Sequence, residues 1–138
     1  MFYVQSFYKI KKITKCIQYK DVLKKYLLSK SVKGTIILSP EGINGTIAGR
    51  KKDVNYCIKY IKNKFSITSF DSQNISTSEF LPFYRAKVKV KKEVVPIGLK
   101  LKVREKKKSI YVDPNQWNKL ISDKSVTLID VRKPFEHK

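Results

Sequence analysis

The stretch GTIILSPEGINGTIAG, residues 34–49, decides the fold of this chain. Its first half, GTIILS, is a short continuous apolar run typical of a central β-strand, and GTIAG predicts the next strand. Pro40 suits the second position of a turn, and Asn44-Gly45 suits the positive backbone angles of a tight hairpin. The glycine spacing matches neither a dinucleotide-binding motif nor a P-loop, and no helix follows to offer its N-terminus to a phosphate. The pattern favours a hairpin over a phosphate-binding loop.

The segments around this hairpin extend the element order to β-α-β-β-α. Residues 2–10, FYVQSFYKI, alternate aromatic and β-branched residues with polar ones and predict a first strand. Residues 66–80 are polar and leave room for a short strand inside a long connection. Residues 15–32 predict an amphipathic helix with these apolar positions at helical spacing: Ile17, Val22, Leu23, Tyr26 and Leu27. Residues 51–65 predict a second helix, whose apolar face consists of Val54, Cys57, Ile58 and Ile61.

A strand in YRAKVKVKKEVV, residues 84–95, is predicted to complete a split βαβ sandwich, the ferredoxin-like pattern of the α+β class. Its apolar residues alternate with basic ones, and GLKLKVREKKK, residues 98–108, repeats the alternation. Between residues 84 and 108 the sequence carries eleven basic and two acidic residues. One basic strand is explained by a solvated face on which lysine discourages edge-to-edge pairing, but two in succession favour a surface that follows phosphates.

Charge over the whole chain points the same way, because 31 Lys and Arg against 11 Asp and Glu give a net charge of +20. Such a charge attracts polyanions, with nucleic acid first and an anionic membrane surface second, while a lysine-rich composition bias is the alternative. Phe83 and Tyr84 only flank the basic strand, so this stretch does not support base-specific readout. The candidate RNA-binding residues are Arg85, Lys87, Lys89, Lys91, Lys100, Lys102 and Arg104.

The rest of the composition excludes several classes of site. Cys16 and Cys57 lie far apart and fit reduced, buried thiols. The single histidine, His137, leaves no basis for a His-based metal site or a Ser-His triad. No apolar run is long enough to span a membrane, and the N-terminal charges follow the apolar part, which is the wrong order for a secretory signal. We expect a soluble cytoplasmic protein without a metal site or a membrane segment.

After Ile110 the sequence changes character. Asp113 is a predicted N-cap, with Pro114 at the first helical position and Gln116 three residues after the cap. VTLIDVR, residues 126–132, then predicts a continuous apolar strand, as at the start of an α/β parallel-sheet domain. So little sequence follows that we expect the chain to be a fragment. The buried face of the helix is predicted to consist of Trp117, Leu120 and Ile121.

Three stretches together resemble one family: residues 34–49, PFYRAKVKVKKEVVPIG at 82–98, and YVDPNQWNKLISDKSVTLIDVRKPFEHK at 111–138. In order and spacing they resemble the N-terminal part of the rhodanese-related tRNA uridine hydroxylases. The resemblance implies an acylphosphatase-like, ferredoxin-like domain at 1–92. It also implies a basic connecting segment at 93–110 and the start of a rhodanese-like domain at 111–138.

The same resemblance implies a function. Members hydroxylate C5 of the wobble uridine at position 34 of tRNA, with molecular oxygen as co-substrate, so tRNA is the expected partner and no cofactor is expected on this chain. The family's active-site cysteine lies in the rhodanese domain, past the strand that here ends in Asp130-Val131-Arg132, and the chain stops at Lys138. We therefore expect no catalytic residue in this chain and no activity from it alone, with the rhodanese domain normally in cis. Neither cysteine matches the catalytic position.

Other family positions have supporting roles. Asp130, Arg132 and Glu136 are expected to fix the loop after the rhodanese strand by pairing with each other or with backbone. Acylphosphatase activity itself is not expected, because the link KIKKITK between the first strand and the first helix contains no glycine. The hairpin loop most like the family contains Glu41, Gly42, Asn44 and Gly45, and Glu41 and Asn44 are expected to face the rhodanese domain or the tRNA.

Three functions stay open on the sequence. The chain is the tRNA-facing portion of a uridine hydroxylase, a non-catalytic basic RNA-binding module, or an inactive remnant of a rhodanese-like protein. The downstream reading frame separates the first from the others, because an enzyme would continue into a cysteine-containing rhodanese loop.

Overall fold

A computed structural model describes residues 1–94 and 112–130, which belong to two separate units. The first unit contains, in chain order, β1 (Phe2–Ile10), α1 (Cys16–Ser29), β2 (Lys33–Ser39), β3 (Gly42–Gly49), α2 (Lys51–Lys64), β4 (Ser72–Ser78) and β5 (Ala86–Val90). The described part of the second unit contains α3 (Pro114–Ser122). The α+β, ferredoxin-like architecture predicted from the sequence is confirmed for the first unit.

The five strands form one sheet in the order β4-β1-β3-β2-β5. β1 pairs antiparallel with β3 and β4, β2 pairs antiparallel with β3, and β5 pairs parallel with β2. The strand that completes the split βαβ motif is therefore β4, and its assignment to residues 84–95 was wrong. β4 is almost wholly polar and exposed, so its place depends on backbone hydrogen bonds to β1, which no side-chain pattern reports. β5 is a fifth strand at the opposite edge.

The central hairpin is confirmed, but its turn is not where the sequence predicted it. Ser39 pairs with Gly42, so the two-residue connection is Pro40-Glu41. Asn44 and Gly45 lie inside β3, and neither has a positive φ. Register decides this, because a turn at Asn44-Gly45 would remove the pairs that β3 makes with β1 and β2.

One face of the sheet packs against the two helices. The face that β2, β3 and β5 present to the helices consists of buried residues, among them Ile36, Leu38, Ile43, Ile47, Ala86 and Val88. The α2 prediction is confirmed by the burial of Val54, Cys57, Ile58 and Ile61. In α1, Leu23 and Leu27 are buried, but Ile17 and Val22 are 74% and 39% exposed. The five predicted positions span a wider arc of the helix than a single sheet face covers.

In the second unit the predicted start of the helix is confirmed, whereas its predicted packing is not found. Asp113 accepts hydrogen bonds from the backbone N–H groups of Asn115 and Gln116, both at 2.9 Å, in a capping box with Pro114 at the first turn. The expected buried face is wrong within the described residues, since Trp117, Leu120 and Ile121 are 46%, 39% and 46% exposed. Residues 126–130 form no strand and are exposed, because a parallel strand needs a hydrogen-bonding neighbour that this part of the unit lacks. The basic strand expected at 98–108 lies outside the described residues.

Gly34 has a backbone position that other residues cannot take. Its φ is +134°, and a Cβ there would collide with the backbone carbonyl oxygen of Thr46 on the neighbouring strand. At Gly49 the nearest atom to a Cβ is a methyl carbon of Val32 at 3.2 Å, which is a side chain and can shift.

We therefore expect Gly34→Ala to lower the free energy of unfolding by about 2 kcal/mol or more, through backbone strain and overlap. Gly49→Ala is the matched control and should cost clearly less. Denaturant unfolding followed by circular dichroism measures both, and equal losses would contradict the assignment of strain to Gly34.

Both cysteines are buried free thiols, as the sequence predicted. Burial raises the pKa of the Cys57 thiol to about 12, and the nearby negative charge of Asp53 adds to this effect. Burial also raises the pKa of Cys16. Both thiols therefore stay protonated at neutral pH and make poor nucleophiles.

Alkylation by iodoacetamide at pH 8 tests this state. A pKa of about 12 leaves roughly a thousandfold less thiolate at pH 8 than an ordinary exposed cysteine has, so Cys57 should react only when the chain is unfolded in denaturant. Mass spectrometry of a Cys16→Ala chain isolates Cys57. Equal alkylation rates in native and unfolded chains would show that the thiol is accessible and ionised.

Candidate nucleic-acid interface

The basic side chains of β5 lie along one edge of the sheet. Ala86 and Val88 point into the core, so the alternate positions, Lys87 and Lys89, belong to the face away from the helices. Lys89 is exposed and Lys87 is half-buried. Just outside the strand, Arg85 and Lys91 are also exposed and continue the alternation.

The structure thus brings four of the seven predicted RNA-binding residues together. The backbone of Lys91 is held by a 2.8 Å hydrogen bond from its N–H to the carbonyl oxygen of Leu38. Within residues 1–94 no ion pair involves the side chain of Arg85, Lys87, Lys89 or Lys91. Lys100, Lys102 and Arg104 lie outside the described residues, so their placement stays a prediction.

The two rows of this sheet face that contain Lys87 and Lys89 carry only uncharged polar residues on β1, β3 and β4. Strand register aligns Lys87 with Thr35, Thr46, Ser6 and Asn74 across the five strands. Ser6 and Thr46 share a 2.9 Å hydrogen bond between their hydroxyl groups. The next row runs from Lys89 through Ile37, Asn44, Tyr8 and Ser72. We call the face formed by these two rows the open face.

The family residues of the hairpin do not form one site. Glu41 is half-buried in the turn, where its backbone N–H donates to Ser39 Oγ at 3.0 Å. Asn44 lies on the open face, but Gly45 lies on the helix side, where a Cβ would come within 2.7 Å of the Phe7 ring. Gly42 begins β3 and is buried. Of these four residues, only Asn44 shares a surface with the basic edge.

The backbone of the link between β1 and α1 donates hydrogen bonds to the hairpin turn. The backbone N–H of Lys11 donates to the carbonyl oxygen of Glu41 at 2.9 Å, and that of Ile13 donates to the carbonyl oxygen of Pro40 at 3.1 Å. These N–H groups are therefore not available to an anion. The expected lack of acylphosphatase activity stays a prediction.

A second surface with basic and aromatic residues lies on the helices, but its groups contact each other. The rings of Tyr26 and Tyr60 stack with centroids 3.9 Å apart. Lys30 Nζ lies 5.8 Å and 5.0 Å from the ring centroids of Tyr26 and Tyr56, and Lys64 Nζ lies 5.7 Å from that of Tyr60. These rings and ammonium groups stabilise the helix layer by cation–π contacts.

Sequence reasoning assigns no binding role to Phe83 and Tyr84, because they only flank the basic strand. In the structure they line a groove of about 530 Å³ together with Arg85 and Lys87. The groove also includes Thr35 and Pro82. The proximity of Tyr84 to Arg85 in sequence was the available signal, but the approach of Thr35 is a tertiary contact.

The described residues contain no group of side chains able to hold a metal ion. No helix among residues 1–94 and 112–130 is both long and apolar enough to cross a membrane.

Asp130 is exposed at the end of the described part of the second unit, and its expected partners Arg132 and Glu136 lie outside it. The roles predicted for these three residues stay predictions.

Comparison with known proteins places the chain in a family. Residues 2–94 match the family described as the UPF0176 acylphosphatase-like domain. A tRNA uridine(34) hydroxylase from Pelagibacter ubique (strain HTCC1062) is 49% identical over 137 residues, which are 99% of this chain and 45% of the relative. The chain thus spans less than half the length of this curated relative.

One solved structure agrees with the chain at the level of the fold, and a second is similar over a comparable share of the chain. The structure of BlrP1 BLUF matches with a TM-score of 0.50 at 8% identity, over 67% of this chain and 66% of that one. The acylphosphatase from Bacillus subtilis matches with a TM-score of 0.44 at 10% identity, over 65% of this chain and 98% of that one. The match over residues 2–94 and the 49% identity confirm the resemblance that the three sequence motifs indicated, and the chain belongs to the family of the UPF0176 acylphosphatase-like domain.

Proposed function

We propose that this chain is the tRNA-binding portion of a tRNA uridine hydroxylase. The observation that carries the proposal is the basic edge of the open face, where β5 and the residues on either side of it carry a basic residue at every second position: Arg85, Lys87, Lys89 and Lys91. Alternate residues on a strand are about 6–7 Å apart, which is close to the spacing of successive phosphates along an RNA strand. Such an edge can follow a phosphate backbone and bind it mainly through charge.

The chemistry proposed for the whole protein comes from its relative. The relative's name denotes hydroxylation of uridine 34 of tRNA, and this chain covers 45% of its length. We propose the same reaction for the protein to which this chain belongs, at C5 of the uridine, with molecular oxygen as co-substrate. In this proposal a rhodanese domain in cis carries the reactive cysteine, and the present chain holds the substrate.

The described residues support binding rather than catalysis. Both thiols are buried and have raised pKa values, which leaves little thiolate to attack a substrate. The open face offers hydroxyl, amide and ammonium groups, which donate and accept hydrogen bonds to phosphates and sugars. A non-catalytic RNA-binding module is the second candidate, and the same basic edge supports it.

The charge of the β5 edge should dominate RNA affinity. Replacing Lys87, Lys89 and Lys91 together with Ala should reduce the slope of log Kd against log salt by about 1 for each of these lysines that binds a phosphate. Fluorescence anisotropy of labelled tRNA at several salt concentrations measures the slope.

The matched control removes the same charge from the helices, with Lys20, Lys24 and Lys59 replaced by Ala. All three are exposed. An equal change of slope in both triple variants would show that binding follows net charge alone, and a flat salt dependence in the native chain would contradict RNA binding altogether.

The chain by itself should form no 5-hydroxyuridine. We expect no product when purified residues 1–138 are incubated with tRNA in air, because neither buried thiol is a nucleophile. Nucleoside mass spectrometry checks this, with tRNA treated by the Pelagibacter ubique relative as the positive control. Detection of product from the chain alone would overturn the assignment of a purely binding role.

A further inference from the structure

The connection between β4 and β5, residues 79–85, exposes aromatic rings to solvent. Tyr84 is 98% exposed and Phe80 is 70% exposed. Leaving a large ring in water forgoes the free energy that its burial would contribute, and the ring stays available to a partner. Within residues 1–94 no aromatic ring or ammonium group packs against Tyr84, whereas Tyr26, Tyr56 and Tyr60 on the helices all have such partners.

The groove beside Tyr84 combines the groups that a nucleotide needs. The phenol ring provides a surface on which a base can stack, and the Arg85 guanidinium and the Lys87 ammonium provide charge for phosphate. Thr35 of β2 also lines the groove, and a threonine hydroxyl can hydrogen-bond to a base edge or a ribose hydroxyl. The groove volume of about 530 Å³ is ample for one nucleotide.

Charge is distributed across the open face in a way that favours an unpaired strand. The basic side chains lie along the β5 edge, while the row that starts at Lys87 continues into the neutral groups of Thr35, Thr46 and Ser6. A paired helix would present phosphates to the edge but would keep its bases stacked inside. An unpaired strand can place phosphates at the edge and turn its bases toward the ring and the neutral polar groups.

We propose that this groove binds an unpaired nucleotide of RNA, with its base stacked on Tyr84 and its phosphates on Arg85 and Lys87. The inference rests on the proposed RNA-binding function and specifies it, since it names the kind of RNA element and the residue that recognises it. Tyr84 acts here through its ring and not through its hydroxyl group. Tyr84→Phe should therefore bind like the native chain.

The test compares two probes, and it uses the native chain of residues 1–138, three tyrosine variants and the Lys87, Lys89 and Lys91 triple variant. The probes are a labelled single-stranded oligoribonucleotide and a fully paired RNA duplex with the same number of phosphates. We expect Tyr84→Ala to weaken binding of the single strand by about tenfold or more, the loss of one stacked base, and to leave duplex binding within about twofold. Tyr84→Phe should restore single-strand affinity. Tyr56→Ala, which removes a 43% exposed ring from the helix layer, should change neither affinity.

The outcomes separate this inference from the function on which it rests. If the native chain binds neither probe, both the inference and the RNA-binding function fail. If the Lys87, Lys89 and Lys91 variant loses affinity but Tyr84→Ala does not, RNA binding stands and the stacking site is wrong. An equal loss for both probes in Tyr84→Ala would also overturn it, because stacking on an unpaired base cannot act on a duplex. Circular dichroism of each variant confirms that the sheet is folded.

Discussion

The structure depends on covering one face of a single sheet with two helices. Leu23 and Leu27 of α1, with Val54 and Ile61 of α2, are at most 1% exposed and enclose the apolar side of the strands. Burial of this kind is the main stabilising term for a small domain, and it commits every second residue of each central strand to the core. The opposite positions remain for solvent and for partners. The candidate interface lies on that side because the core occupies the other.

Net charge identifies a class of partner but not the surface that meets it. Basic residues occur on both helices as well as on β5, so composition alone would allow either layer to bind RNA. The layers differ in what their groups already contact. On the helices, Lys30 and Lys64 lie over tyrosine rings of the same layer, whereas Tyr84 and the β5 lysines have no such partner within residues 1–94. An interface requires groups that are still available.

Much of the fold was predictable, because local physics and tertiary structure agree there. The hairpin, the β-α-β-β-α order and the α2 face follow from periodicity, and the capping box at Asp113 follows from side-chain chemistry. The predictions failed where hydrogen bonds between strands, rather than side-chain patterns, determine the secondary structure. β4 carries almost no apolar signal, and Asn44-Gly45 has strong turn chemistry but is paired on both sides inside β3. The candidate site was half predictable, since alternation along β5 indicates the lysines while nothing local indicates a groove at Tyr84.

The sequence by itself determined the family, the ferredoxin-like class, the positive charge and the alternation of Arg85, Lys87, Lys89 and Lys91, because each of these depends on residues close together in the chain. The tertiary structure alone decided that β5 lies at the sheet edge beside β2, and that Thr35 meets Tyr84 across a groove. The physical reason is that strand neighbours are chosen by hydrogen bonds between distant segments and by the shared burial of one face. Neither of these can be read from a single segment.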